Sequence, residues 1–387
     1  MDTHSKGSPA WLWPPSNQPY GISKLHTMRY LLRLLLVLAL LPAAYPLHAQ
    51  PLAEVERRLQ TLADDILNHD SLSVKISQNR EFARLLVETL QRPESYDYPF
   101  DSLKTVSVLR AEDGAFRVFT WQIMDRADAN TYYGEQQHYY FGLVQRRYET
   151  AGGRVVYVVI PLVEMPQIPA GVENMVLDNN TWLGGLYYPA RHHAGIPGGT
   201  FKYYDPRQVD ARGRVKKDKR RFYVLLGWNG MDNTSNLKFV DVMTFDPADS
   251  ARVIFGANVF YFDIVPKYRA LFRYSEYAPF TLNYSYVKKG LRGRKQMIVY
   301  DHLASPRPGD QKLQTVWELG PDGSYDALYY YRSLGAFDWL KNVTVAEEYN
   351  RKITRREQEA VRKAEQERLR AAGIDWKTPA PTGGQRP

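Results

Sequence analysis

The chain contains no cysteine. Disulfides, thiol nucleophiles and thiolate metal sites are therefore excluded, and stability must come from an apolar core. It also has no apolar run long enough to cross a bilayer as a helix, since Leu34 to Leu41 falls well short of the roughly 20 residues a span requires. No Gly-x-Ser-x-Gly elbow, phosphate-binding loop or dinucleotide fingerprint occurs. No His-x-x-x-His or His-x-Glu spacing occurs either, which makes the pair His192-His193 a poor zinc site. No motif calls for a metal or a cofactor.

What is present is β grammar. There are 28 Tyr against 15 Phe and 8 Trp in 387 residues, an aromatic balance that suits half-exposed sheet faces. The formal charge is +9, of which Lys6, Lys24, Arg29 and Arg33 against Asp2 account for three, so the remainder carries a mild basic excess. Such an excess favours weak attraction to anionic polymers.

The run Leu34–Leu41, with Arg29 and Arg33 before it and Pro42 and Leu47-His48-Ala49 after it, has the layout of a secretory signal. Residues 1–49 are read as that signal, with translation starting at Met28 and the mature chain near Gln50. No cysteine follows to carry a lipid anchor, and no membrane span is expected once the signal is removed. Residues 50–94 predict a helical pair. Leu52, Val55, Leu59, Leu62 and Ile66 form one three-four stripe, and a second helix is expected from about Ser77, with Phe82, Leu85, Leu86 and Leu90 inward and Pro93 ending it.

Residues 95–343 predict a mainly β, antiparallel meander of sandwich, barrel or propeller type, because about a dozen short alternating runs recur with turn signals between them. Its organising stretch is Arg221–Phe245, two apolar runs around a polar loop. Tyr223, Leu225 and Gly227 should face one way and Phe222, Val224, Leu226 and Trp228 the other, so this hairpin should be covered on both sides. Glu112-Asp113-Gly114 is a tight turn between Val106–Arg110 and Arg117–Ile123. Pro321-Asp322-Gly323 is read likewise, as a turn between Leu319 and Ala327. Residues 344–373 predict a charged C-terminal helix, and 374–387 a disordered tail.

The ordered blocks FRVFTWQ, YYFGLVQ, YVLLGWNG, KFVDVMTF, VIFGANVF, YDHLASP and GPDGSYDALYYY resemble a functionally uncharacterised family of secreted proteins of Bacteroidota-type bacteria. The resemblance spans roughly residues 95–335. It implies export into a Gram-negative envelope, to the periplasm, the outer membrane or beyond, and carries over no catalytic residue. Asp70-Ser71-Leu72, Asp101-Ser102-Leu103 and Asp249-Ser250-Ala251 match a short O-glycosylation pattern of such bacteria.

Two sets of candidate site residues stand out. Asp301 and His302 lie side by side where a strand enters a loop, and Glu276 and Asp326 are further carboxylates that only the fold could gather with them. Adjacent strand residues point to opposite faces, so Asp301 is poorly placed to orient its neighbour. The second set is basic. Arg212–Arg221 has Lys or Arg at seven of ten positions, namely Arg212, Arg214, Lys216, Lys217, Lys219, Arg220 and Arg221. Lys288–Lys295 has five of eight, including Lys288, Lys289 and Arg292. If both loops emerge at one end of the sheet, they form an anion-binding patch beside Tyr203, Tyr204 and Tyr286; otherwise they are solvated hairpins that keep strand edges apart. The expectation is a non-catalytic binding protein for an anionic envelope polymer or glycan, or for an envelope protein, and not for nucleic acid. The alternatives are an envelope hydrolase acting on glycan or peptide bonds and a structural component of an envelope assembly.

Overall fold

A computed structural model of the chain describes residues 50–126, 136–150, 152–209, 215–232, 234–261, 267–289, 293–305 and 319–345. For Arg126, Gln136, 202–209, 215–218 and Lys289 only the backbone is described. The signal segment, the charged C-terminal helix and the tail 374–387 lie outside these residues.

Two helices open the described chain, α1 (Leu52–Asn68) and α2 (Leu72–Leu90). The α1 stripe buries Val55, Leu59, Leu62 and Ile66, as its spacing requires. The second helix starts five residues earlier than Ser77, because Leu72 and Ile76 continue the apolar stripe and pack against the same core. It ends before Pro93, which opens a short 3₁₀ turn over Pro93–Asp97.

Sixteen strands follow among the described residues. In chain order they begin with β1 (Ser107–Arg110), β2 (Phe116–Arg126), β3 (Gln136–Glu149), β4 (Val155–Val163), β5 (Leu177–Asp178) and β6 (Leu186–Tyr188). Next come β7 (Gly198–Val209), β8 (Val215–Asn229), β9 (Ser235–Phe245), β10 (Val253–Phe255) and β11 (Phe260–Tyr261). The last are β12 (Ala270–Ser275), β13 (Leu282–Lys289), β14 (Gly293–Ala304), β15 (Gly320–Tyr331) and β16 (Ala336–Leu340).

These strands make three sheets. The first is a meander, β1-β2-β3-β4; the second runs β5-β10-β9-β8-β6 with β7 on β8 and β12 on β9; the third runs β11-β16-β15-β14-β13. Pairing between the named strands is antiparallel except for the short β11–β16 contact, which is parallel. Among the described residues no sheet closes into a barrel. The sheets stack instead, and side-chain alternation shows how. Phe119, Trp121 and Ile123 pack on the helices, whereas Phe116 and Val118 on the opposite face of β2 meet the second sheet. Tyr223 and Leu225 of β8 join that second core, and Phe222, Val224 and Leu226 join a third one against β13, β14 and β15. The β8–β9 hairpin is thus covered on both faces, with a layer of helices, then three sheets, through the thickness. Each large side chain so buried contributes roughly 1.5–3 kcal/mol.

A buried polar network ties the helices to the first sheet. Arg117 is buried with Nε and Nη2 donating to Gln145 Oε1 at 3.0 and 2.6 Å, and Gln145 Nε2 in turn donates to Leu90 O at 2.7 Å, tying the end of α2 to the first sheet. Burial pushes the Arg117 guanidinium down to about 10.

One turn expectation is corrected. Pro321-Asp322-Gly323 does not connect two strands but lies inside β15, where Asp301 pairs with Tyr325 and Leu303 with Pro321. Three residues of β15 therefore oppose the single residue His302. The turn chemistry is spent on a β-bulge, with Gly323 at φ +89° and the Ser324 amide and hydroxyl donating to Asp322 Oδ1 at 2.9 and 2.7 Å. Those donors hold the Asp322 carboxyl below its ordinary range.

Candidate functional site

Two concave regions bring the candidate residues together, one at each end of the third sheet. The first takes residues from both basic hairpins. β7 and β8 pair with Lys202 opposite Lys219 and Tyr204 opposite Lys217, and β13 and β14 pair with Lys288 opposite Arg294. Arg212, Arg214 and Arg292 lie outside the described residues. Tyr203, Tyr204, Lys216, Lys217 and Lys289 are placed on their strands by backbone alone.

Below these ends lies a cleft of about 1000 Å³, lined by Lys219 and Arg221 of β8, Lys295 of β14, Tyr329 and Tyr330 of β15, and Arg332. The two hairpins therefore do converge, through Lys219 and Lys295. Arg221 Nε sits 3.0 Å from Asp113 Oδ2, which also accepts the Tyr223 hydroxyl at 2.9 Å, so this guanidinium is locally compensated. Lys295 donates to the Tyr329 hydroxyl and lies 4.6 Å from that ring's centroid. Arg220 and Lys288 are half-buried and exposed, respectively, outside the lining. His193 lines the same cleft with Nδ1 2.7 Å from Glu112 Oε1, whereas His192 turns to Tyr286, ring centroids 5.0 Å apart. The histidine pair is thus divided between two partners, and among the described residues no three His, Asp or Glu side chains gather as a metal would require.

The second region is a pocket of about 420 Å³ at the other end of β14 and β15, lined by Lys267, Phe272, Tyr300, His302, Asp326 and Trp339, among others. His302 Nδ1 is 3.0 Å from Asp326 Oδ2, with the carboxylate almost fully buried and the imidazole 40 % exposed. Asp326 also accepts Trp339 Nε1 on Oδ2 at 3.2 Å and the Asn342 amide on Oδ1 at 3.0 Å. Three donors thus converge on one carboxylate, and Asn342 adopts φ +52° to bring its amide there, a conformation asparagine tolerates. When Nδ1–H is given to Asp326, Nε2 is the ring's remaining acceptor. Tyr300 packs on Phe272 with centroids 4.3 Å apart, and burial, reinforced by Asp326, pushes its hydroxyl far above the ordinary tyrosine range. It is a neutral donor.

Three of the four carboxylate and histidine candidates therefore line one pocket. Asp301 does so without serving His302, since its Oδ2 accepts the Thr281 amide at 2.5 Å. Glu276 is exposed elsewhere and its amide donates to Thr234 O at 3.0 Å. Sequence reasoning missed Trp339, Lys267 and Phe272. The available signal for Trp339 was its alternation with Phe337 on a short strand, which puts both on the inner face. No family model, curated protein or solved structure matches the chain, so the site rests on its own geometry.

Proposed function

We propose that the protein is an exported binding protein whose cleft between the β7–β8 and β13–β14 hairpins holds an anionic glycan or related anionic envelope polymer. The observation that supports this best is the convergence of Lys219, Arg221, Lys295 and Arg332 on one cleft of about 1000 Å³ walled by Tyr329 and Tyr330. That volume is at the upper end for ligand sites and suits several sugar rings. The aromatic walls offer apolar faces to sugar rings, while the cations supply long-range attraction that salt weakens. Export is carried by the Arg-flanked apolar run Leu34–Leu41.

Thermal denaturation of residues 50–387 with anionic and neutral oligosaccharides tests the reading. An anionic ligand at a hundred times its dissociation constant stabilises the fold by about 2.7 kcal/mol. That shift is expected to shrink as salt is raised, and to fall in the double variant Lys219→Gln, Lys295→Gln without change in the ligand-free midpoint. Equal stabilisation by a neutral glucan, or a salt-independent shift, would remove the proposal.

A further inference from the structure

The pocket over His302 goes beyond polymer binding and does not depend on it. Lys295 and His302 are seven residues apart on β14, roughly 23 Å at strand rise, so the two regions are separate surfaces. From the carboxylate–imidazole geometry we infer that this pocket is a hydrolytic site for carboxylic esters with an apolar acyl or alkyl half, with His302 as general base and Asp326 as its positioning residue.

Four observations carry it. A buried carboxylate holds the Nδ1 side of a half-exposed imidazole at 3.0 Å, the arrangement that leaves Nε2 to take a proton. The bulge in β15 is centred opposite His302, and bulges re-aim side chains beside active sites. The carboxylate is itself fixed by Trp339 and the Asn342 amide, so it cannot rotate away. Finally, Leu271, Phe272, Leu303 and Trp339 make apolar walls, with Lys267 and the neutral Tyr300 phenol as the donors among the lining residues. No serine or threonine is among those residues, which leaves water as the nucleophile.

The step balances without a further reactant. His302 Nε2 takes a proton from water as the water oxygen bonds to the ester carbonyl carbon, and the carbonyl oxygen gathers charge near Lys267 or Tyr300. Collapse of the tetrahedral species breaks the carbon–oxygen bond to the alcohol, whose alkoxide recovers the proton from His302. One ester and one water give one acid and one alcohol.

The test is hydrolysis of a series of 4-nitrophenyl esters, acetate to octanoate, by the folded chain. Saturable turnover is expected, with kcat/KM reduced about 10²–10⁴-fold in His302→Gln. Asp326→Asn should lower kcat at least about tenfold with KM little changed, because it disturbs the base and not the walls. His69→Gln, an exposed imidazole remote from the pocket, should match wild type. Glutamine can still donate to Asp326, so His302→Gln is the variant that keeps the fold, and circular dichroism confirms it. Absence of saturable turnover across the series, or a His302→Gln rate equal to wild type, would overturn the assignment.

Discussion

Replacing Arg269 with methionine is expected to destabilise the protein by about 3–5 kcal/mol, read as a lower urea midpoint at unchanged slope. Arg269 and Asp241 are both fully buried, with Nε 3.4 Å from Oδ1. The guanidinium also donates through Nη1 to Met175 O at 2.8 Å and to Val172 O, and through Nη2 to Phe255 O at 3.2 Å. One side chain, just before β12, thereby joins β9, β10 and the turn before β5. Methionine fills much of the volume but removes the guanidinium's bonds to three carbonyls, of which Val172 O keeps the Met175 amide, and leaves a buried carboxylate without its counter-charge. Asp241 Oδ2 already lacks a partner, so no spare interaction compensates.

The deficit will depend on pH, and its sign follows from Asp241. Burial outweighs the guanidinium and raises this carboxyl above its ordinary range; removing Arg269 raises it further. A carboxyl with a raised folded value favours the folded state below the unfolded value of about 3.9, and that contribution is lost as pH rises through the folded value. The cost of Arg269→Met should therefore be largest at neutral pH and shrink toward pH 4. Adding Asp241→Asn should recover part of it at pH 7. A deficit independent of pH, unaffected by that second change, would show that the lost carbonyl bonds and not the charge dominate.

The second large effect is expected at Phe239. Its ring is fully buried in the core between the first and second sheets and lies 6.1 Å from Tyr187 in an edge-on arrangement. Phe239→Ala should cost about 3–5 kcal/mol. Its cross-strand partner is Gly227, where a Cβ would meet the ring at 2.2 Å. The glycine is there for close approach, since the distal end of the ring lies against its α-carbon. Gly227→Ala alone should cost about 1–3 kcal/mol by overpacking. Together the two changes should cost less than their sum, because the clash requires the ring; coupling of about 0.5–3 kcal/mol is expected for residues in contact. Additive losses in denaturant titrations of the three variants would contradict this packing account.

Much of the local structure was legible because strand alternation and helix stripes are local patterns. The stripes Val55–Ile66 and Phe82–Leu90, the shared face of Phe119, Trp121 and Ile123, and the opposed faces of Tyr223 and Phe222 all follow from spacing along the chain. Segments that failed did so where a local signal serves a non-local end. Pro321-Asp322-Gly323 carries turn residues, yet β14 pairs with β15 on both sides of them, at Pro321 and at Tyr325, and absorbs them into a bulge. Leu72 and Ile76 extend α2 beyond its expected start because the core below needs them covered.

The candidate sites divide in the same way. Composition alone located the basic hairpins, since Lys and Arg density between strands is visible in one dimension. Their convergence through Lys219 and Lys295 was decided by the stacking of the second sheet on the third. Alternation correctly ruled out Asp301 as the partner of His302, because neighbours on a strand diverge. It could not choose Asp326, twenty-four residues away, since that pairing depends on the register of β14 against β15 and on the bulge that shifts it. The sequence by itself determined which strand residues face inward and that the described residues are mainly β, because those follow from a period of two. The tertiary structure alone decided which faces meet and which charges come within hydrogen-bond distance, because these depend on register between strands distant in the chain.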